Sequence, residues 1–238
     1  DKKSSTSWTD SLSMHASVGF ESEYVFRGRN LAHNVAVWTL EGSYKLYNGS
    51  LYAGATGFNG QQYTYNETDF YLGYKMPLHE KFSADFGATY YWYSNQTTAP
   101  TIDRTYEIYA GLMYNGWVVN PAAYVYYDFA LDRWTAEVSG KYSWDLAKYG
   151  WARTSLDVGA FIGTVAADDA DSDQVAGETS NGYNYAGVTA DVVYAFNKHA
   201  SASVGVRYTL NDDNNPSTNA LVAREDNFGW GAKFSAGF

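Results

Sequence analysis

The sequence predicts an all-β chain: a 12-stranded, antiparallel, up-and-down transmembrane β-barrel. Three observations carry that expectation. Apolar residues alternate with polar or small ones along most of the 238 residues, the period-two signature of strands with unlike faces. Aromatic residues make up 18% of the chain, although its mean hydropathy is only −0.40. A barrel averages to polar because half of each strand faces the lumen, while its outer surface needs aromatic girdles. Finally, short and long connections alternate, which gives a barrel two unlike ends.

The first strand is expected over 13–28, with Met14, Ala16, Val18, Phe20, Tyr24 and Phe26 outward. The second (34–47) turns Ala36, Trp38, Leu40, Tyr44 and Leu46 outward, and Asn48-Gly49 signals a two-residue hairpin. The third then places Leu51, Ala53 and Ala55 outside, against Tyr52, Gly54 and Thr56 inside. In the fourth (67–76), Phe70, Leu72, Tyr74 and Met76 face out, and Pro77 to Glu80 turn the chain. Phe82 to Trp92 alternate in the fifth (81–94), and Tyr106 to Tyr114 in the sixth (104–114). Asn115-Gly116 signals a second tight hairpin. In the seventh (117–129), Pro121 cannot donate a ladder hydrogen bond, so a bulge is expected there. The eighth (132–144), ninth (151–165), tenth (183–196) and eleventh (200–210) repeat the alternation. The last strand alternates Phe228, Trp230, Ala232, Phe234, Ala236 and Phe238.

Connections after strands two, four, six, eight and ten are short. Those after one, three, five, nine and eleven are longer and polar; only Ala130-Leu131, after the seventh, is short on that side. An even strand count places both termini at the short-turn end. Aromatics then form two belts. One holds Tyr44, Tyr74, Phe82, Tyr114, Trp117, Trp144, Trp151, Phe196 and Phe238. The other holds Tyr24, Phe26, Phe58, Phe70, Tyr90, Trp92, Tyr106, Phe129, Trp134, Tyr183, Tyr208 and Phe228. A soluble β-sandwich also alternates, but has no use for aromatics at both ends of every apolar face.

No run of 18 apolar residues is present, which excludes a transmembrane helix. Cysteine is absent, so there is no disulfide framework and no thiol chemistry. Asp1 is expected to begin the mature chain after a cleaved secretory signal. Residues 1–12 are then an N-terminal tail and 13–238 the barrel.

Parity assigns the lumen. Inward acids are Glu21, Glu23, Glu41, Asp69, Asp85, Glu107, Asp128, Glu137, Asp157 and Asp191. Inward bases are Arg27, Lys45, Lys75, Arg133, Lys141, Arg153, Arg207 and Lys233. A strongly ion-selective pore tends to be lined by one sign of charge. The near balance here implies cross-lumen ion pairs, in either a narrow or a blocked interior. Inward aromatics are Tyr71, Tyr91, Tyr93, Tyr109, Tyr124, Tyr126, Phe161 and Tyr185. They suit a stacking track for a ring-bearing solute; equally, they fill space and hydrogen-bond the charged groups.

The negative excess lies in loops, with Asp168, Asp169, Asp171, Asp173 and Glu178 in one and Asp212 and Asp213 in another. Asp169, Asp171 and Asp173 open like a calcium loop, but Gln174 and Ser180 stand where its Gly and Glu belong. A solvated acidic loop is expected and no bound metal, with weak divalent-ion bridging to lipopolysaccharide as the alternative. The four histidines are His15, His33, His79 and His199, and only His15 is expected to face the lumen. No serine has a matched histidine, and no nucleotide or metal-ligand motif stands out. No enzyme activity, cofactor or nucleic-acid partner is expected.

The terminal strand, with Phe228, Trp230, Phe234 and Phe238, resembles the recognition signal of bacterial outer-membrane barrels. Ser22-Glu23-Tyr24-Val25-Phe26-Arg27-Gly28 resembles the Ser-(Asp/Glu)-Tyr-Val-Phe-Arg-Gly stretch of a family of uncharacterised bacterial outer-membrane proteins. These resemblances imply a Gram-negative outer membrane, with both termini periplasmic. They imply outer-membrane lipid and lipopolysaccharide as surroundings and the barrel-assembly machinery as a partner during biogenesis. Other envelope proteins are further candidate partners. Arg27 is expected at the extracellular rim, paired with Glu23. The functional expectation is a narrow passive channel for small polar solutes. The competing expectation is a structural or interaction barrel with a blocked lumen, acting as a subunit of a larger outer-membrane assembly.

Overall fold

The alternation in the sequence becomes twelve strands in the computed structural model, which describes residues 11–61, 65–94, 103–167, 182–212 and 226–238. They are β1 Leu12–Phe26, β2 Arg29–Leu46, β3 Gly49–Gly60, β4 Asn66–His79, β5 Phe82–Tyr93 and β6 Arg104–Tyr114. Then follow β7 Ala122–Asp128, β8 Arg133–Asp145, β9 Thr154–Ala167, β10 Tyr183–Asn197, β11 Ala200–Asn211 and β12 Asp226–Gly237. Each pairs antiparallel with its sequence neighbours, and β1 pairs with β12 to close the barrel. Closure leaves no sheet edge, a requirement for strands in hydrocarbon. The outer face is an apolar band, on which Leu72, Val138 and Ile162 are 54%, 53% and 62% exposed. Water would penalise such a surface and a bilayer core favours it, so the barrel spans a membrane. Trp117, Trp144, Trp151 and Phe238 are exposed near the short-turn end; Trp92, Tyr106, Trp134 and Phe228 are exposed near the other.

Several expected boundaries move. The β2–β3 turn is Tyr47-Asn48 rather than Asn48-Gly49, because Leu46 pairs with Gly49. Tyr47 takes the left-handed conformation there, at φ 54°. Asn115-Gly116 does not make a tight hairpin. Residues 115–121 form a wider connection, and Tyr114 N donates to Pro121 O at 2.9 Å. Pro121 has no N–H to give the ladder, so β7 begins after it instead of bulging around it.

The largest departure is at the β1–β2 connection. Residues 29–33 were expected as loop, yet they are strand. β1 keeps step with β12 only as far as Glu21–Gly231, and β2 meets β3 only from Val35–Gly60. Beyond those pairs, residues 22–34 bond mainly to each other and leave the wall. The hairpin closes on Arg27-Gly28, with φ 50° and 81°, the two positive angles of a type I′ turn. A register shift at Tyr24/Val25 rotates its tip. The tip folds into the lumen: Asn30, Ala32 and Val35 have no exposed surface. Tyr24 therefore leaves the outer belt and stacks on Phe58, which was expected in the same belt and also turns inward, with ring centroids 4.1 Å apart. Phe26 packs against Tyr91. Tyr183, expected in the same belt, is buried on the inner side.

Candidate functional site in the lumen

The site is built where this hairpin meets the barrel wall. Arg27 does not pair with Glu23 at the rim. Its Nη2 reaches across to Glu107 Oε2 of β6 at 2.7 Å, with both side chains buried. Its guanidinium lies 4.6 Å from the Phe26 ring centroid and 4.8 Å from that of Tyr126 in β7. Glu23 instead accepts from Asn30 within the hairpin and pairs with His33. Gly28 O accepts from Asn211 Nδ2 of β11 at 2.8 Å and Asn227 Nδ2 of β12 at 3.3 Å. Arg29 lies over the Tyr183 ring of β10, and Tyr24 OH donates to Glu67 Oε1 of β4 at 3.4 Å. One hairpin thus ties together strands on opposite sides of the lumen.

Beneath the tip is a chamber of about 450 Å³. It reaches from Phe26 and Arg27 down to Asp85, near the short-turn end of β5. A second space of about 280 Å³ lies beside Glu21, Glu23, Arg207 and Asn227. Val25 and Phe161 line both, so the hairpin partitions the interior.

Tyrosines and carboxylates meet pairwise around the larger chamber. Tyr52 OH and Tyr124 OH donate to the two oxygens of Asp85, at 2.7 and 3.0 Å. Tyr109 OH lies 2.5 Å from Tyr52 OH. Since the Tyr52 proton goes to Asp85, Tyr109 is the donor in that pair. Tyr91 OH donates to Glu107 at 3.0 Å, Tyr185 OH to Glu137 at 2.9 Å, and Tyr71 OH to Glu41 at 2.9 Å. Tyr91 pairs with Asp69 and Thr105, but the other rings each have a glycine opposite. Tyr52 faces Gly73, Tyr71 Gly54, Tyr109 Gly87, Tyr124 Gly111, Tyr185 Gly163, and Phe161 Gly187 across the ladder. A Cβ at any of these glycines would come within 2.2–2.6 Å of a ring atom. The rings lie over the neighbouring strand, so glycine is required beneath them by close approach.

Most of the parity-assigned lumen residues are brought together. Arg207 bridges Glu21 at 3.2 Å and Asp191 at 3.1 Å. Asp157 accepts from Ser143 at 2.5 Å and Ser155 at 2.9 Å. Asp69 sits below the hairpin with Oδ1 unbonded. Arg133 is buried at the start of β8, and Tyr93 packs edge-on to Tyr65. Two assignments change. Asp128 caps its own turn, accepting from Ala130 N and Leu131 N at 3.0 and 2.9 Å, so it is not a free lumen charge. Arg153 is not on a strand: at φ 59° it precedes β9, exposed, and donates to Phe196 O at 3.0 Å. Phe228, Trp230, Phe234 and Phe238 all lie on the outer face.

The near balance of lumen charge resolves into zones. Lys45, Lys75, Lys141 and Lys233 are exposed in the half nearer the short turns, and none makes an ion pair among the described residues. Glu23, Glu67, Asp69, Glu107 and Glu137 gather toward the hairpin. Glu67, fully enclosed by Tyr24 and Tyr65, was missed at the start of its strand although its odd number puts it on the Asp69 face. Arg29, Asn30 and His33 were missed because that segment lacks alternation. Tyr52 was placed inward, and its role beside Asp85 emerges only in three dimensions. The calcium-like spacing from Asp169, with Asp168, Glu178 and Asp213, lies outside the described residues.

Two solved structures share this architecture. The NanC porin aligns with a TM-score of 0.55 at 11% identity, over 94% of this chain and 98% of that one. The KdgM porin aligns with a TM-score of 0.55 at 12% identity, over 93% and 98%. At such identity the likeness is one of fold. No protein-family model and no curated relative matches the chain.

Proposed function

We propose that this protein is an outer-membrane barrel acting as a narrow passive channel for small polar solutes. The observation that carries this reading is a chamber of about 450 Å³, lined by Asp85, Glu107, Glu137 and several tyrosines, inside a closed membrane-spanning barrel. Charged and phenolic groups line it, a surface that exchanges hydrogen bonds with a passing solute. The two porins of like fold agree with it. The resemblance of residues 22–28 to an outer-membrane family supports the same location. On this reading both termini are periplasmic, lipid and lipopolysaccharide surround the apolar band, and the barrel-assembly machinery engages the aromatic last strand. The chemistry needs no cofactor and no catalytic residue. His33 is occupied by Glu23, and His199 Nδ1 lies 2.9 Å from Gly237 O at the opposite end.

One observation favours a second reading. The hairpin of residues 22–34 closes much of the lumen, as it would in a structural subunit of a larger envelope assembly. Single-channel recording in planar bilayers under a salt gradient separates the two. Discrete conductance steps support the pore, and Lys141→Glu then shifts the reversal potential toward cations. Silence from protein whose insertion is confirmed overturns the channel.

A further inference from the structure

We propose that the larger lumen chamber binds small organic cations carrying an amidinium or guanidinium group on an apolar or aromatic body. This deepens the channel reading by naming a solute class and rests on that reading for transport, though not for binding.

The first argument is charge. Asp85, Glu107 and Glu137 face the chamber, and among the described residues Arg27 is its one cationic lining residue. Arg27 is committed to Glu107 at 2.7 Å. Asp85 and Glu137 have no cationic partner among the described residues; their partners are phenols. A neutral O–H satisfies a lone pair but leaves the charge in place. Lys75 is the cross-strand neighbour of Asp85, yet it makes no ion pair with it.

Donor count is the second argument. Tyr52, Tyr91, Tyr124 and Tyr185 each spend their single proton on a carboxylate, and Tyr109 spends its own on Tyr52. These walls therefore offer lone pairs with few protons. A ligand that fits must bring donors and few acceptors. Guanidinium and amidinium are donor-only groups, whereas an anion is acceptor-only. Neutral sugars need both kinds of partner.

The protein itself supplies the third. Arg27 already places a guanidinium in this chamber, 4.8 Å from the Tyr126 ring centroid and bonded to a carboxylate. Planar cations gain from both contacts. A free solute would repeat the arrangement lower down, at Asp85 and Glu137. The volume suits it, since small-molecule sites span roughly 300–1,000 Å³.

Isothermal titration of the detergent-solubilised full chain tests this with three probes of like shape: benzamidinium, neutral benzamide and anionic benzoate. Saturable binding of benzamidinium is expected, at least about tenfold tighter than either of the others. Asp85→Asn and Glu137→Gln should each weaken it about tenfold or more. The wild-type comparison needs no variant, so a folding failure in one leaves the test intact. Equal binding of the three probes overturns the proposal. So does benzamidinium binding that survives the Asp85→Asn/Glu137→Gln double change in a folded barrel. Conductance is recorded separately: binding without conductance sinks the channel and spares the site, and conductance without cation preference does the reverse.

Discussion

Replacing Arg27 by alanine should release the hairpin tip while leaving the barrel closed. The Arg27 and Glu107 side chains are 7% and 2% exposed. Removing one partner of a buried ion pair costs about 3–5 kcal/mol, since the other charge is stranded. Tyr91 OH still reaches Glu107 at 3.0 Å, and Gly28 O still accepts from Asn211 and Asn227, so the lower figure is the better guide. The loss is local, because the wall ladders below Glu21 and Val35 do not depend on this contact. At about 1.4 kcal/mol per decade, 3 kcal/mol lowers protection roughly a hundredfold. Hydrogen–deuterium exchange followed by mass spectrometry reads that change on the peptide covering residues 22–34. Glu107→Gln should act in the same direction, and the double variant should cost less than the sum of the two. Unchanged exchange over 22–34, or acceleration spread evenly over β6 to β9, would refute the idea that this ion pair latches the hairpin.

Gly111→Val puts a Cβ within 2.2 Å of the Tyr124 ring and should cost about 1–3 kcal/mol, read as a lowered urea midpoint. Tyr124→Ala in the same chain should recover part of that loss; no recovery would place the strain elsewhere. Tyr52→Phe removes one bond to Asp85 and the acceptor of Tyr109, and should cost about 1 kcal/mol in the same assay. Asp212 holds the β10–β11 end by accepting from Asn184 N at 2.6 Å and Nδ2 at 2.8 Å. Those hydrogen bonds lower its pKa below the usual aspartate value. The contact is therefore fully present above the ordinary Asp range and lost as pH falls through the lowered value. The Asn184 amide resonance should titrate below about pH 3.9, and a midpoint at or above that would disprove the bond.

The wall of this barrel was legible because parity is a local property. Once Phe86 and Tyr90 face out, Asp85 and Tyr91 must face in, and the ladder carries that assignment around the ring. Hence Glu41, Asp85, Glu137, Asp191 and Arg207 appear where alternation puts them. Parity does not say where a strand leaves the wall. The inward fold of residues 22–34 is decided by partners far along the chain: Arg27 to Glu107, Gly28 to Asn211 and Asn227. No window of sequence holds both ends of those contacts. Arg27-Gly28 lacks the Asn-Gly signature of a type I′ turn, and residues 29–33 look irregular because both of their faces are buried. Asn115-Gly116 shows the converse, a strong local signal overruled by Pro121 downstream.

The aromatic–glycine pairs also bear on how such a lumen can change over time. Neither member can vary alone: a larger residue at Gly87 would tip the Tyr109 ring off its seat, and losing that ring would expose the strand beneath. The bore of the barrel is thus written in two-residue units read across the ladder. Related chains that differ in bore should differ at both positions of a pair together, so covariation between strand neighbours would report pore width more directly than the identity of any one residue.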